Sequence, residues 1–453
     1  MTRTTLAHPL ALVLTLAAVP AAAQTDSVTT PPPNLVLSNY NSTPVGPFGG
    51  LEGVAFVARI ADPSAAWFNP AGLARRATAQ ISGSAGVYQR TAVATVALPN
   101  EGGSAQQLPN FVGFTFSPRR RVTVGAAFLA TNAWSQETDS ELISSDVSGQ
   151  RRFAYSADSA FDQRVGAIGA GYFNDGAWRA GGGLAFSLMN LRQVQSVSER
   201  IATPDSLRSL LVTARASSSA LQLRAQAGVQ YDRQRWQFGA AVRTPAATIN
   251  RSGVVTLDGL ADEGAGSLGA SVFDVDAASE YRLPWEFQGG AAFVADRVQL
   301  EIDVQAYSAV PAYTLLSTNQ PLVIYSHAEV AAPPVVMTRP FTGFTAAADG
   351  IANISAGGHL VLLADRELRL HAGVGVNHSP VAAADTIFTR VDLTTWSLGA
   401  SGAFGRLRFS IGIHRQAGHA DDIPLRNLLN GDVVRTRIDV RMTGMIYSLS
   451  YEF

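Results

Sequence analysis

Long stretches of this chain alternate apolar residues with polar or small ones. Leu221, Leu223, Ala225, Ala227, Val229 and Tyr231 stand against Gln222, Arg224, Gln226, Gly228 and Gln230. Val298, Leu300, Ile302, Val304 and Ala306 are opposed in the same way by Gln299, Glu301, Asp303 and Gln305. A period of two puts successive side chains on opposite faces of a β-strand, so each segment has one apolar and one wet face. Such segments fall near residues 78–89, 108–117, 122–133, 160–173, 178–192, 214–231, 236–250, 278–294, 298–307, 351–363, 368–378, 391–404, 406–415 and 436–453. The expected fold class is all-β, an antiparallel barrel of about fourteen strands.

A soluble sandwich shows the same alternation with its apolar face turned inward, so periodicity leaves sandwich and transmembrane barrel open. The order of connection lengths separates them. Short turns are expected at 117–121, 174–176, 232–235, 295–297, 364–367 and 405–406, with long polar stretches at 193–213, 244–277 and 308–350. Tight turns at one end and larger loops at the other are the wiring of a transmembrane barrel. Residues 206–212, after Pro204, read as one or two helical turns. The last strand places Tyr447, Leu449, Tyr451 and Phe453 on one face and ends in phenylalanine. It resembles the terminal strand that outer-membrane proteins present to the barrel-assembly machinery. Trp178, Trp236, Trp285 and Trp396 fall at or near strand ends, where a barrel carries its aromatic girdles.

Residues 1–23 read as a signal peptide. Arg3 precedes an apolar run from Leu10 to Val19, Pro20 breaks it, and Ala21 and Ala23 are the small residues before Gln24. The run is shorter than the ~20 residues of a spanning helix. Export without a membrane helix, combined with the barrel pattern, places the chain in the bacterial cell outer membrane. The barrel proper is assigned to 78–453, and 24–77 to an extension and lumen plug. About eight strands leave an interior that side chains fill, and sixteen to eighteen leave an open channel. A fourteen-stranded lumen therefore needs an occupant. Residues 24–77 are not strand-like, carrying Pro31, Pro32, Pro33, Gly46 and Pro47 before a mixed apolar segment from Val54 to Ile60.

The net charge of -1 over 453 residues gives no basic surplus for nucleic acid, and the absence of cysteine removes disulfides, thiolate metal sites and cysteine nucleophiles together. No nucleotide loop, zinc spacing or nucleophile elbow is present, so neither an enzyme nor a cofactor is expected. Glu301 and Asp303 alternate on one strand face and read as lumen lining, like Gln222, Arg224, Gln226 and Gln299. His414, His419, Asp421 and Asp422 lie close in sequence, but ligands must also converge in space, and no metal is assigned to them.

Residues 49–73 read GGLEGVAFVARIADPSAAWFNPAGL. A glycine-rich segment leading through an aspartate and small residues into Asn-Pro-Ala before the first strand resembles the FadL/TodX family of outer-membrane transporters for long-chain fatty acids and other hydrophobic compounds. The matching positions are Gly49, Gly50, Gly53, Asp62, Asn69, Pro70, Ala71 and Gly72. Weaker matches follow at Arg243-Thr244-Pro245, Leu283-Pro284 and Ser379-Pro380-Val381. The resemblance implies a monomer that passes hydrophobic small molecules or fatty acids, with a plug whose movement gates a sideways exit through the wall into outer-membrane lipid. The stretches 193–213 and 244–277 are shorter than the loops that form the family's apolar capture groove. An accessory barrel for secretion or surface assembly remains the alternative, and a polar porin is disfavoured because the plug would obstruct it.

Overall fold

The computed structural model describes residues 36–75, 78–95, 98–146, 149–174, 176–262, 266–327, 335–339, 343–364, 367–383, 388–426 and 433–453. The signal peptide expected at 1–23 and the start of the extension, 24–35, lie outside the described residues.

The alternating segments form a closed antiparallel barrel of fourteen strands. They are β1 (Gln80–Thr95), β2 (Leu98–Arg119), β3 (Val122–Asp146), β4 (Gly149–Phe173), β5 (Trp178–Ala202), β6 (Leu207–Arg233) and β7 (Trp236–Arg243). After a long connection come β8 (Glu286–Val294), β9 (Val298–Tyr307), β10 (Ile351–Leu363), β11 (Leu368–Asn377), β12 (Asp392–Phe404), β13 (Leu407–Arg426) and β14 (Val433–Glu452). Each pairs with the next. Gln80 of β1 lies opposite Glu452 of β14, which closes the sheet. Closure leaves no strand edge facing lipid, where an unpaired backbone group would find no water. The six short turns fall at one end, and both chain ends of the barrel lie there too.

Side chains alternate as the period requires. On β6, Gln222 and Gln230 are fully buried while Val229 between strands' neighbours is 41% exposed; on β9, Asp303 is buried while Ile302 is 60% exposed. The exposed apolar side chains form the outer belt. Tyr447, Leu449, Tyr451 and Phe453 all point outward on the last strand. Next to the short turns Trp178 packs on Tyr231 (ring centroids 4.5 Å apart) and Trp236 on Phe293 (5.5 Å), a girdle on the outer surface.

The expected long polar loops are largely strand. Strands β3 to β6 have 25 to 27 residues, whereas about 9–11 cross a membrane. The surplus stands beyond the belt, and its polarity is inverted. Outward positions of β6 are Leu221, Leu223, Ala225, Ala227, Val229 and Tyr231 in the belt, but Thr213, Arg215, Ser217 and Ser219 directly above it, before the exposed Leu211 and Leu207 near the far end. Inward positions change from Gln222, Arg224 and Gln226 to Val212, Ala216 and Ala220. On β4, Arg164, Asp162 and Asp158 face out while Phe161, Tyr155 and Phe153 face in. The changeover is level, because Asp162 pairs with Asn190 and Asn190 with Ser219.

This inversion explains three corrections. The stretch 193–213 is a pair of strand extensions joined at 203–206, and residues 207–212, read from sequence as helical turns, are strand. The stretch 244–277 contains strands Ala247–Asp262 and Ser267–Asp274, the first paired with the upper part of β6. The stretch 308–350 contributes Leu322–His327 and Val335–Arg339 to the same extension, and Val310–Ser317 and Phe344–Ala348 to a three-stranded sheet with Ala278–Ser279. The strand expected at 278–294 is interrupted: Pro284 has no N–H to give the ladder, and β8 starts only at Glu286.

Arginine placed on the outer face therefore reports the level of the belt. Ala225→Arg, inside it, is expected to destabilise the barrel in bilayers by about 2–4 kcal/mol, and Thr213→Arg, above it, by about 0–1 kcal/mol. Equilibrium unfolding from lipid vesicles measures both; equal losses would remove the assigned boundary.

Candidate functional site

Residues 36–75 run inside the barrel, and most of them are buried. Regular structure there amounts to three short helical turns, Gly49–Leu51, Ala65–Phe68 and Pro70–Arg75. An irregular segment leaves backbone groups unpaired, and each one buried without a partner costs ~1–3 kcal/mol. The polar lumen face of the wall supplies the partners. Asp303 Oδ2 accepts the N–H groups of Phe56 (2.7 Å) and Val57 (3.0 Å). Glu301 accepts the N–H of Ala58 (2.6 Å) and Nε of Arg59 (2.6 Å). These two carboxylates thus cap the turn in which Ile60 N–H returns to Phe56 O (2.8 Å), as acidic groups cap a helix start. Gln230 donates to Val57 O and Ile60 O at 3.2 Å each, and Gln226 donates to Ala66 O. Gln222 instead reaches Tyr281 O, and Gln299 lines a cavity below the segment.

The Asn-Pro-Ala-Gly positions form a joint. Asn69 Nδ2 donates to Val57 O (3.0 Å) within the segment and to Val229 O (3.1 Å) on β6, while its Oδ1 accepts Ala71 N–H (3.2 Å). Pro70 and Ala71 sit against Gly171 and Gly181, which face each other on β4 and β5. A Cβ on Gly181 would fall 2.3 Å from Pro70 C, and one on Gly171 2.8 Å from Pro70 O. Gly72 is as tightly placed against Ile60 O. Asp62 Oδ1 accepts Ser64 N–H (2.8 Å) at the start of the next turn. Gly49 and Gly50 are buried at the first turn, and Gly53 has a left-handed φ of +63° with the wall backbone of Val374 beside it.

Sequence reasoning marked Arg243 only within a motif match and Arg224 only as lumen lining, and missed the anchor they form. Arg243, fully buried, donates to Trp67 O (2.6 Å), lies over the Trp67 ring (3.9 Å to its centroid) and pairs with Glu286. Arg224 donates to Pro284 O (2.9 Å) and Thr244 O (2.7 Å) and also faces Glu286. It missed as well the meeting of Glu52 with His359 and His371. No spacing marks either group, since the partners come from strands far apart in the chain. His414 points into the lumen and His419 outward next to Asp421 (3.5 Å), so that sequence cluster does not converge.

The wall itself has a split. β2 and β3 pair only from Phe111 opposite Leu129 to Arg119 opposite Val122. Above that, among the described residues, β2 pairs with β1 and β3 with β4, and β3 carries a register shift between Ala130 and Asn132. The inner segment bonds to both lips. Thr43 N–H donates to Thr131 O (3.2 Å), Ser42 Oγ to Asn132 Oδ1 (3.0 Å), and Asn132 Nδ2 to Asn39 O (2.9 Å). On the other lip Asn110 Nδ2 donates to Pro44 O (2.7 Å). Just above lies an apolar cluster that includes Val36, Leu37, Trp134, Phe161, Met189 and Leu191. Two cavities bordering it have volumes of about 20 and 40 Å³, and one of about 220 Å³ lies on the short-turn side, against Glu52, Arg59 and His359.

No protein-family model and no curated protein matches the chain in sequence. Solved structures do match in fold. A FadL homologue of Pseudomonas aeruginosa superposes with TM-score 0.61 at 14% identity, over 92% of this chain and 100% of that one. The Pseudomonas putida toluene transporter TodX gives 0.54 at 14%, over 90% and 98%, and the Ralstonia pickettii toluene transporter TbuX 0.50 at 12%, over 90% and 98%. The chain has the FadL/TodX barrel fold.

Asp303→Leu removes the acceptor of two buried N–H groups. Amide exchange at Phe56 and Val57 is expected to rise while the heat-shifted gel mobility of the barrel stays intact. Unchanged exchange at those amides would show that Asp303 does not hold the turn.

Proposed function

We propose that this protein passes hydrophobic compounds across the outer membrane by passive diffusion, with residues 36–75 as a movable plug. The observation that carries this reading is the split between β2 and β3, closed from inside by residues 39–44 and adjoining the apolar cluster around Trp134 and Phe161. Hydrophobic molecules that enter among inward-facing apolar side chains above the belt have a way out sideways, into lipid, once that segment moves. The barrel shares its fold with a FadL homologue and with proteins described as toluene transporters, which supports hydrophobic small molecules as the cargo class.

Movement is needed on two grounds. A pocket for a drug-sized ligand spans about 300–1,000 Å³, far above the 20 and 40 Å³ next to the apolar cluster. Burial of a sixteen-carbon chain is worth on the order of 12 kcal/mol at ~0.8 kcal/mol per CH₂, so a rigid site would hold its ligand instead of releasing it. The tight packing favours a second reading, an accessory barrel with a permanently closed lumen.

Because the chain has no cysteine, a single introduced pair separates the readings. Ser42→Cys with Asn132→Cys replaces a hydrogen bond by a disulfide between segment and wall. Uptake of a labelled long-chain fatty acid and of toluene is measured in cells lacking their own transporter, at matched surface levels. Wild type is expected to exceed empty cells, the oxidised pair to fall to the empty-cell level, and reduction to restore uptake. Wild type equal to empty cells for both probes would favour the accessory barrel; full uptake by the oxidised pair would exclude residues 39–44 as the gate. Asn69→Ala with Pro70→Ala, which loosens the joint between segment and β6, is expected to lower uptake in a barrel that still assembles; unchanged uptake would free the joint from any part in gating.

A further inference from the structure

Glu52 of the inner segment meets two histidines of the wall. His359 on β10 and His371 on β11 stand directly opposite each other in register. Their Nδ1 atoms lie 2.8 and 2.7 Å from the same oxygen, Glu52 Oε1. The three donor groups fall within 4.8 Å of one another, and all three side chains are buried. The approach is built into the wall: a Cβ on Gly357 or Gly373 would fall 2.0 or 2.1 Å from the Glu52 backbone. Neighbours orient the donors. Arg59 Nη2 holds Glu52 Oε2 at 2.5 Å, leaving Oε1 to the histidines, and Ser401 Oγ lies 2.7 Å from His371 Nε2.

A buried ion-pair network adjoins the site. Arg59 bridges Glu52 and Glu301, and Asp303 lies two residues along the same strand. The cavity of about 220 Å³ borders Glu52 and His359 and gives water access to that side.

We propose that Glu52, His359 and His371 bind one divalent transition-metal ion of the Zn²⁺ class. Two imidazole nitrogens and a carboxylate oxygen are a donor set zinc takes in three-ligand sites, at about 2.0–2.2 Å, with the remaining position left to water. Calcium and magnesium want oxygen ligands throughout. The serine beside His371 then plays the orienting part that outer partners of metal-bound histidines play. An ion here joins the inner segment to two adjacent wall strands, on the face opposite the split. The site does not depend on the transport reading.

The test uses untagged full-length protein in detergent, stripped with chelator and dialysed against Zn²⁺. One ion per chain is expected, lost in His371→Ala and in Glu52→Gln, and kept in His419→Ala, whose histidine lies on the outer surface beyond the belt. Ser401→Ala is expected to weaken binding about 10-fold or more. No binding by wild type, meaning that imidazole N–H groups alone hold the carboxylate, would overturn the proposal, as would unchanged stoichiometry in a folded His371→Ala. Should the variants not fold, Cu²⁺ added to wild type decides it: pulsed paramagnetic-resonance spectra are expected to show two coupled imidazoles, and fewer than two would overturn the site.

Discussion

In hydrocarbon every backbone N–H and C=O must find its partner within the protein, and this molecule meets that demand in two ways. The wall meets it by closure, with β1 returning to β14 so that no strand edge is left over. Inside, residues 36–75 have almost no regular structure to meet it with. Their partners are side chains of the wall: Asp303 and Glu301 for the turn at Phe56, Gln230 and Gln226 for its carbonyls, Arg243 for Trp67. A lumen lined with carboxylates, amides and guanidinium groups is thus the hydrogen-bonding surface of an irregular chain, and both stand or fall together.

The inverted extensions follow from a change of solvent. Where the strands leave lipid, the outer face must suit water, and on β4 it becomes Arg164, Asp162 and Asp158 while Phe161 and Tyr155 turn inward. The strand keeps its period of two; only the meaning of the two faces is exchanged. The barrel therefore carries apolar side chains outward in the membrane and inward above it. An apolar interior thus lies above the polar lumen, and the split between β2 and β3 lies where the two zones adjoin.

The inner segment sits between those zones with different attachments on different sides. At the split it is held by neutral hydrogen bonds through Thr43, Asn132 and Asn110. Across the lumen it is held by the buried ion pair of Arg59 with Glu301 and by Arg243 of the wall, a guanidinium that donates to Trp67 O. Breaking one partner of a buried ion pair typically costs about 3–5 kcal/mol, against ~1 kcal/mol for a neutral hydrogen bond. If the segment moves as proposed, that asymmetry frees the lip-facing residues 39–44 first, with residues 52–60 as the fixed side.

The sequence by itself determined the all-β class, the strand number, the six short turns and the outward faces of β6, β9 and the terminal strand, because a period of two is local and survives without knowledge of neighbours. It also marked Asn69 to Gly72, whose turn chemistry is local too. It could not show that 193–213 and 244–277 are strands, since an outer face of Ser196, Ser198 and Arg200 reads as loop until the position of the membrane is known. Nor could it join Glu52 to His359 and His371, or Ser42 to Asn132. Those partners are set by strand register around a closed barrel and by glycine gaps such as Gly171 with Gly181 and Gly357 with Gly373. Each gap is an ordinary strand glycine in the sequence; its purpose appears only when another backbone lies 2 to 3 Å from where its side chain would be.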